Sequence, residues 1–261
     1  MISNGKFYES QFEEATIELL REAHWQYAFG DDIHRKYTDP LIEEDLRNFL
    51  TVQYKDKNLT TSEMDSIVAN LRNTGGQNDY YALRNAFLLY RDGYDFAYSD
   101  GRDNPFRLEY IDFEHPDHNI FRCVNQFVME QGRENRRPDI LLFINGIPVC
   151  IIELKNPTKQ NATIHDAHTQ ICTRYMRDIP ALLKYCALAV ISDGAKNALG
   201  TTYTPFEFFY EWKKIENEDK AGKGLDTLRT LIRGALSPER ILEILRDYVY
   251  FPDPTKEDDT T

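Results

Sequence analysis

Three charged residues stand where the sequence is otherwise apolar. Asp139 opens the run Ile140-Leu-Leu-Phe-Ile144, and Glu153 and Lys155 close the run that begins at Ile147. Side chains alternate along a strand, so Glu153 and Lys155 project to one face. Two carboxylates beside a lysine suit a magnesium ion, which takes hard oxygen ligands and completes its octahedron with water and substrate phosphate. The lysine then orients or helps deprotonate an attacking water whose pKa the metal has lowered. That chemistry is phosphodiester hydrolysis. Charges at strand ends also terminate sheets in proteins with no such site, and the spacing alone leaves both readings open. The apolar setting favours the site, because uncompensated charges flanking buried strands are costly.

The two apolar runs are joined by Asn145-Gly146, a hairpin signal, and their composition indicates strands buried on both faces in the middle of a sheet. This sets a geometric condition. A strict two-residue loop pairs Ile144 with Ile147 and therefore Asp139 with Ile152. Directly paired residues share a face, so Glu153 would point away from Asp139. A shared site requires an odd-membered loop or a bulge, for example Ile144 opposite Pro148 and Asp139 opposite Glu153. That register shift is the expectation.

Other elements must carry this hairpin. Apolar residues at Phe12, Ala15, Leu19, Leu20, Ala23 and Tyr27 recur at helical spacing, predicting a helix over 11–27. Asp39-Pro40 reads as a cap and first-turn proline opening a second helix through Leu46 and Leu50. Thr60 and Glu63 have capping-box spacing, with Gly75-Gly76 ending that helix, and a fourth runs from about Asp79 to Arg91 and stops at Gly93. Beyond Gly93 the texture changes: Phe106–Phe113 alternates as a half-buried strand, and a second strand is expected over 120–129. Helical spacing resumes over about 162–176 and 179–185, a core strand follows at 187–191, and helices return over 227–245. Helices, antiparallel strands, helix, strand and helix in that order indicate an α/β fold with a mixed central sheet.

Composition bounds the function. Hydrophobic residues make up 41% of 261 and aromatics 13%, enough for a sizeable core and unlike a low-complexity chain. The net charge of −12 argues against a protein that coats nucleic acid. That charge is uneven: residues 131–186 carry eight Lys and Arg against five Asp and Glu. Arg133, Arg136 and Arg137, just before Asp139, are the local candidates for phosphate contact. Cys123, Cys150, Cys172 and Cys186 form no CxxC pair and read as reduced, small hydrophobes. No apolar run is long enough to span a bilayer and no signal peptide is visible, so a cytoplasmic protein without membrane contact is expected. His165 and His168, three apart on a helix, lack a third ligand at suitable spacing, and His115 and His118 flank Pro116 in a loop with surface placement as the default. The aromatic cluster 206–212 reads as core or an interface rather than a base-stacking platform.

The stretch Arg137-Pro-Asp-Ile-Leu-Leu-Phe-Ile-Asn-Gly-Ile-Pro-Val-Cys-Ile-Ile-Glu-Leu-Lys-Asn-Pro157 resembles the PD-(D/E)xK nuclease core at the N-terminus of type I restriction enzyme R subunits. The likeness continues through Gln170–Tyr175, Asp178–Tyr185, Val190-Ile-Ser-Asp-Gly194 and Gly200-Thr201, with Asn125-Gln126 and the Phe12-Glu13-Glu14 helix upstream. It implies a restriction-endonuclease-like α/β core, a mixed sheet flanked by helices, with a helical insertion near the N-terminus. The nuclease domain would span 1–250, with its helical part at about 38–92 and its catalytic core at about 94–212. Residues 251–261 would be an acidic tail or a linker to a motor domain.

The resemblance implies that Asp139 and Glu153 bind Mg²⁺ with the carbonyl of Leu154, and that Lys155 activates water or contacts phosphate. Glu13 is a candidate additional acid, and a solvated helix charge is its plain alternative. Gln170 and Tyr175 match a downstream pair that supports the site or the DNA backbone. Four residues separate them here instead of three, so in an α-helix Arg174, a further DNA-contact candidate, stands one turn from Gln170. Expected partners are double-stranded DNA, a motor domain in the same chain, and modification and specificity subunits. ATP would act only through that motor, since no GxxxxGK[ST] occurs here. The alternatives are a stand-alone nuclease acting on other DNA, such as single strands or modified DNA, and a nuclease-fold interaction module that no longer cuts.

Overall fold

The apolar runs around Asn145-Gly146 become the middle of a six-stranded sheet. The computed structural model describes residues 9–155, 163–215, 224–253 and 255. The strands are β1 (Gln26–Phe29), β2 (Tyr94–Phe96), β3 (Phe106–Leu108), β4 (Phe121–Asn125), β5 (Met129–Gln131), β6 (Glu134–Arg136), β7 (Ile140–Ile144), β8 (Ile147–Leu154), β9 (Leu188–Ser192) and β10 (Asn197–Thr201). The central sheet has the order β1-β4-β7-β8-β9-β10, and β2-β3 and β5-β6 form separate two-stranded ribbons. β1 with β4 and β8 with β9 are parallel, while the other neighbours in the central sheet are antiparallel. The sheet is mixed and helix-flanked, as its sequence order predicts.

The first helices in chain order are α1 (Glu9–Glu22), α2 (Glu43–Gln53), α3 (Thr61–Asn73), α4 (Asp79–Asp92), α5 (Ile164–Thr169) and α6 (Met176–Asp178). They are followed by α7 (Pro180–Leu183), α8 (Leu225–Ala235) and α9 (Pro238–Glu243). Two apolar cores lie on opposite faces of the sheet. One gathers α1–α4, α8 and α9 over Ile140, Leu142, Ile144, Ile152 and Leu154. The other packs α5–α7 over Leu141, Phe143, Ile151 and Ile191.

Several boundaries differ from the pattern reading. α1 ends at Glu22, and residues 26–29, read as its last turn, form an edge strand beside β4. Asp39 accepts from the Leu41 amide, but the helix predicted to open there starts only at Glu43. The Thr60–Glu63 capping box is formed, with the Thr60 hydroxyl accepting from the Glu63 amide and Glu63 accepting from Thr60 N–H. Only 106–108 of the alternating stretch pairs as a strand, because its partner β2 is three residues long. β10 has no apolar run to announce it, being the edge of the sheet beyond β9.

The hairpin register is the consequential feature. The turn is a two-residue loop, with Ile144 opposite Ile147 and Phe143 opposite Pro148. The sequence example that put Ile144 opposite Pro148 is therefore not what forms. The shift comes one step inside the hairpin: Leu142 pairs with Cys150 and Ile140 with Ile152, so Val149 is the extra residue of a β-bulge. Val149 and Cys150, although consecutive, both enter the same core. Every residue beyond the bulge is thereby rotated to the face opposite the one a regular ladder would give it.

Candidate active site

The bulge decides where the carboxylates point. Continuing the register past the Ile140–Ile152 pair sets Asp139 opposite Glu153. Leu141 and Ile151 share the second core, and Asp139 and Glu153 are the next same-face positions on their strands. The condition for a shared site is met, through a bulge rather than an odd loop. The edge on which they stand also collects the ends of β1, β4, β8 and β9 and the start of β10, as the pairing directions require.

Glu153 is 1% exposed. Its Oε1 accepts from Lys155 Nζ at 2.8 Å, the Tyr175 hydroxyl lies against the carboxyl and lowers its pKa, and among the described residues its Oε2 has no partner at hydrogen-bond distance. Burial, and then the neighbouring charge of Asp139, raise its carboxyl from the ordinary 4.5 to about 8, against the lowering influence of Lys155. Asp139 is half-buried, and its Oδ2 accepts from the Leu154 amide at 2.7 Å. Lys155 Nζ also donates to Gln170 Oε1 at 2.7 Å, and its backbone N–H donates to Ser192 O at 2.8 Å, which ties the Ser192-Asp193-Gly194 turn to the site.

Gln170 then reaches Tyr175, although an α-helix would not bring them together. Residues Gln170–Tyr175 form a π-helical segment between α5 and α6. Its i to i+5 repeat absorbs the extra residue of the spacing. Gln170 Nε2 donates to the Tyr175 hydroxyl at 2.7 Å, while Arg174 is exposed. The expectation that Arg174 replaces Tyr175 one turn from Gln170 is therefore corrected. Burial, with the Glu153 charge next, holds the Tyr175 hydroxyl well above the ordinary tyrosine range, so it stays protonated.

Glu13 comes to the same edge from α1. Its Oε1 accepts from Asn125 Nδ2 at 2.6 Å and from Gln126 Nε2 at 3.0 Å, and Oε2 accepts from Gln126 Nε2 at 3.1 Å. These donors are neutral amides, and among the described residues no cation pairs with Glu13. The plain reading of Glu13 as a solvated helix charge does not describe it. The signal available in the sequence was Asn125-Gln126, which closes β4 with Gln126 in the left-handed region.

The arginines separate. Arg136 is engaged by Asp178 at 2.7 Å and by Glu134 at 2.5 Å, which makes it a structural clasp between β6 and α6. Arg133 and Arg137 are exposed, as is Arg174. His165 and His168 are turned to Phe206, with His168 Nε2 bonded to Thr204 O, and no third ligand joins them among the described residues. In the aromatic cluster, Phe206 and Phe209 pack against the second core while Phe208 and Tyr210 are exposed. Cys123, Cys150 and Cys186 are buried thiols, as expected, and Cys172 is half-buried.

A mixed α/β sheet with an acid opposite a Glu-x-Lys at one edge has the layout of a nuclease-like core. Residues 6–208 match the family model described as the type I restriction enzyme R protein N terminus, and the chain belongs to that family. It is 29% identical over 255 residues to the "Type I restriction enzyme HindI endonuclease subunit" of Haemophilus influenzae, covering 93% of this chain and 24% of that subunit. It is 24% identical over 215 residues to the "Type I restriction enzyme SsaAORF53P endonuclease subunit" of Staphylococcus saprophyticus, covering 79% of this chain and 21% of that subunit. Over 133 residues it is 31% identical to the "Type I restriction enzyme EcoprrI endonuclease subunit" of Escherichia coli, covering 48% of this chain and 40% of that subunit. The chain spans about a quarter of the length of the Haemophilus relative. Among the described residues, no helix is long and apolar enough to cross a membrane.

Proposed function

We propose that this chain is a magnesium-dependent endonuclease domain that hydrolyses phosphodiester bonds of double-stranded DNA as part of a type I restriction endonuclease subunit. The observation that carries this reading is the bulge at Val149, which turns Asp139 and Glu153 to one face beside Lys155.

The residues fit a hard cation. A buried carboxylate oxygen such as Glu153 Oε2, without a hydrogen-bond partner among the described residues, is costly unless something positive meets it. Asp139 and Glu153 would hold the ion, with Glu13 an additional acid at the same edge. In an extended residue the N–H and C=O face the same neighbouring strand. The Leu154 amide donates to Asp139 Oδ2, and by that rule its carbonyl would face the same side. When bound, the metal stabilises charge on the phosphoryl oxygens and lowers the pKa of a bound water.

Lys155 is placed to orient that water or the phosphate, and Gln170 and Tyr175 fix it from behind. Gln170 accepts from Lys155 through Oε1 and donates to Tyr175 through Nε2, which sets the amide's orientation. Arg133, Arg137 and Arg174 remain the candidates for phosphate contact along the DNA. Arg136 contributes through the clasp that holds its loop. With a net charge of −12, the isolated chain is expected to bind DNA weakly and to rely on a motor domain and on modification and specificity subunits for its hold.

The test is cleavage of supercoiled plasmid with Mg²⁺ by the full restriction assembly, with wild type compared to Asp139→Ala and Lys155→Ala. Lys155→Ala is expected to lower the rate by roughly 10²–10⁴-fold, the usual contribution of a positioned acid or base. Unchanged cutting by both variants would sink the assignment.

A further inference from the structure

At the opposite end of the sheet, between β3 and β4, a short loop brings together three ligand-type side chains that the cleavage site does not use. Asp112 is buried, and its Oδ1 accepts from the amides of Glu114 and His115 at 3.0 and 2.9 Å. Its Oδ2 accepts from Gln53 Nε2 at 3.1 Å. Two imidazole nitrogens converge on that same Oδ2, His118 Nδ1 at 2.9 Å and His115 Nδ1 at 3.4 Å. The rings lie face to face with centroids 4.7 Å apart, and the three ligand atoms all fall within 4.8 Å of one another.

A hydrogen bond accounts for His118 but not for His115. A carboxylate oxygen has about two lone pairs, and Gln53 and His118 occupy them. A third donor has nowhere to give its proton. In a metal-bound form both protons sit on Nε2, and the exposed rings turn out of their stacked arrangement so that each Nδ1 lone pair meets the ion. A tetrahedral ion with bonds of about 2.0–2.1 Å keeps its ligands roughly 3.3 Å apart, close to the His115–Asp112 separation.

We propose that Asp112, His115 and His118 form a metal site for a borderline divalent ion of the zinc class, bound by one carboxylate and two imidazole nitrogens. Two nitrogens and one oxygen suit zinc, cobalt or nickel and disfavour magnesium, which prefers oxygen. Gln53 supplies the orienting contact to the carboxylate that such sites use. The His115 and His118 side chains are 62% and 48% exposed, so an ion enters freely and water fills a fourth position. The loop is fixed beforehand. Asn119 Nδ2 donates to the carbonyls of Asp112 and Pro116, and its Oδ1 accepts from Asp112 N and from Asn145 Nδ2 in the hairpin turn. The ion would tie this loop to the turn, about 25 Å along β8 from Glu153 at roughly 3.3 Å per residue. The site is independent of the cleavage reading. Its sequence trace is the spacing Asp112-x-x-His115-x-x-His118, which surface placement of the two histidines conceals.

Chelator-treated protein is titrated with Zn²⁺ by calorimetry and with Co²⁺ by visible absorption, and its melting temperature is recorded with and without Zn²⁺. Wild type and Asp139→Ala are expected to bind one equivalent with a rise in melting temperature. His115→Gln and His118→Gln, which alter exposed side chains, are expected to weaken binding at least tenfold and to abolish that rise. Zn²⁺ binding and stabilisation unchanged in both histidine variants, or no binding by wild type, would overturn the proposal. Loss of binding in Asp139→Ala with retention in the histidine variants would also overturn it, by placing the ion at the other end of the sheet.

Discussion

The turn and the open end of the β7–β8 hairpin treat buried polar groups in opposite ways. At the turn, Asn145 is fully buried and its side chain is matched on both atoms: Oδ1 accepts from Ile120 N, and Nδ2 donates to Tyr110 O and Asn119 Oδ1. Gly146 O accepts from Ile42 N, which anchors the helical insertion to the same turn. At the open end Glu153 is as deeply buried, yet one of its oxygens is unmatched among the described residues and its carboxyl is driven up to about 8. Satisfied buried groups fix a structure, whereas an unsatisfied one stores a demand for a ligand. The hairpin is thus clamped at one end so that it can carry an unfavourable constellation at the other.

Removing the charge at the open end tests this division most severely. Glu153→Gln is expected to reduce Mg²⁺-dependent cleavage by roughly 10³-fold, since metal-assisted stabilisation is worth several kcal/mol. Its effect on metal-free stability has a definite pH signature. The folded carboxyl titrates near 8 and the unfolded one near 4.5, so the folded state holds a proton that the unfolded chain has released between those values. Stability from this group is complete below about 4.5 and is lost as pH rises through about 8. Metal-free wild type should therefore lose melting temperature between pH 5 and 8 relative to Glu153→Gln, and Mg²⁺ at pH 8 should restore it. Parallel melting curves for the two proteins across that range would remove the asymmetry between the ends.

The turn end should answer in the other direction. Asn145→Ala leaves the Ile120 N–H and the Tyr110 carbonyl without partners and places a methyl-bearing residue at φ +50. Each unsatisfied group costs about 1–3 kcal/mol, and a total near 3 kcal/mol lowers the melting temperature of a chain this size by roughly 6–12 °C. Cleavage per folded molecule, measured well below the transition, should stay within twofold of wild type. A Gly146→Ala variant sharpens the point, since its Cβ would lie 2.1 Å from the Ile42 carbonyl oxygen at φ +77. Loss of activity without loss of stability in either variant would contradict the division.

This contrast also marks what the chain's pattern made legible. The buried hairpin, the need for a register shift and the candidate acids could be read from the apolar runs and the Asn-Gly pair, because alternation and turn chemistry are local. Where the shift falls could not. Val149 is one valine among apolar neighbours, and its bulging depends on both strands packing against two cores at once. β1 was hidden for a related reason: Tyr27 fits the helical period of α1 as well as it fits an edge strand, and only pairing with β4 decides. The role of Asn125 and Gln126 in holding Glu13 spans more than a hundred residues of sequence, beyond the reach of any periodicity.

The π-helical segment supplies the finest test of the open end. Its i to i+5 repeat is what brings the Tyr175 hydroxyl to Gln170 Nε2, and Gln170 in turn holds Lys155. Tyr175→Phe removes the hydroxyl's contacts with Gln170 and with the Glu153 carboxyl and keeps the buried ring, a change of about 1–2 kcal/mol. Lys155 keeps its contact with Glu153, so the expected loss in cleavage is no more than about tenfold, far below that of Glu153→Gln. Deleting Thr173 as well restores the three-residue spacing in a regular helix and should place the following aromatic ring one α-turn from Gln170. If Tyr175→Phe were as damaging as Glu153→Gln, the tyrosine would belong to the reacting constellation itself. If it changed neither cleavage nor the pH dependence of melting, the Gln170 relay would be scaffolding alone, and the demand at the open end would rest on Asp139, Glu153 and Lys155.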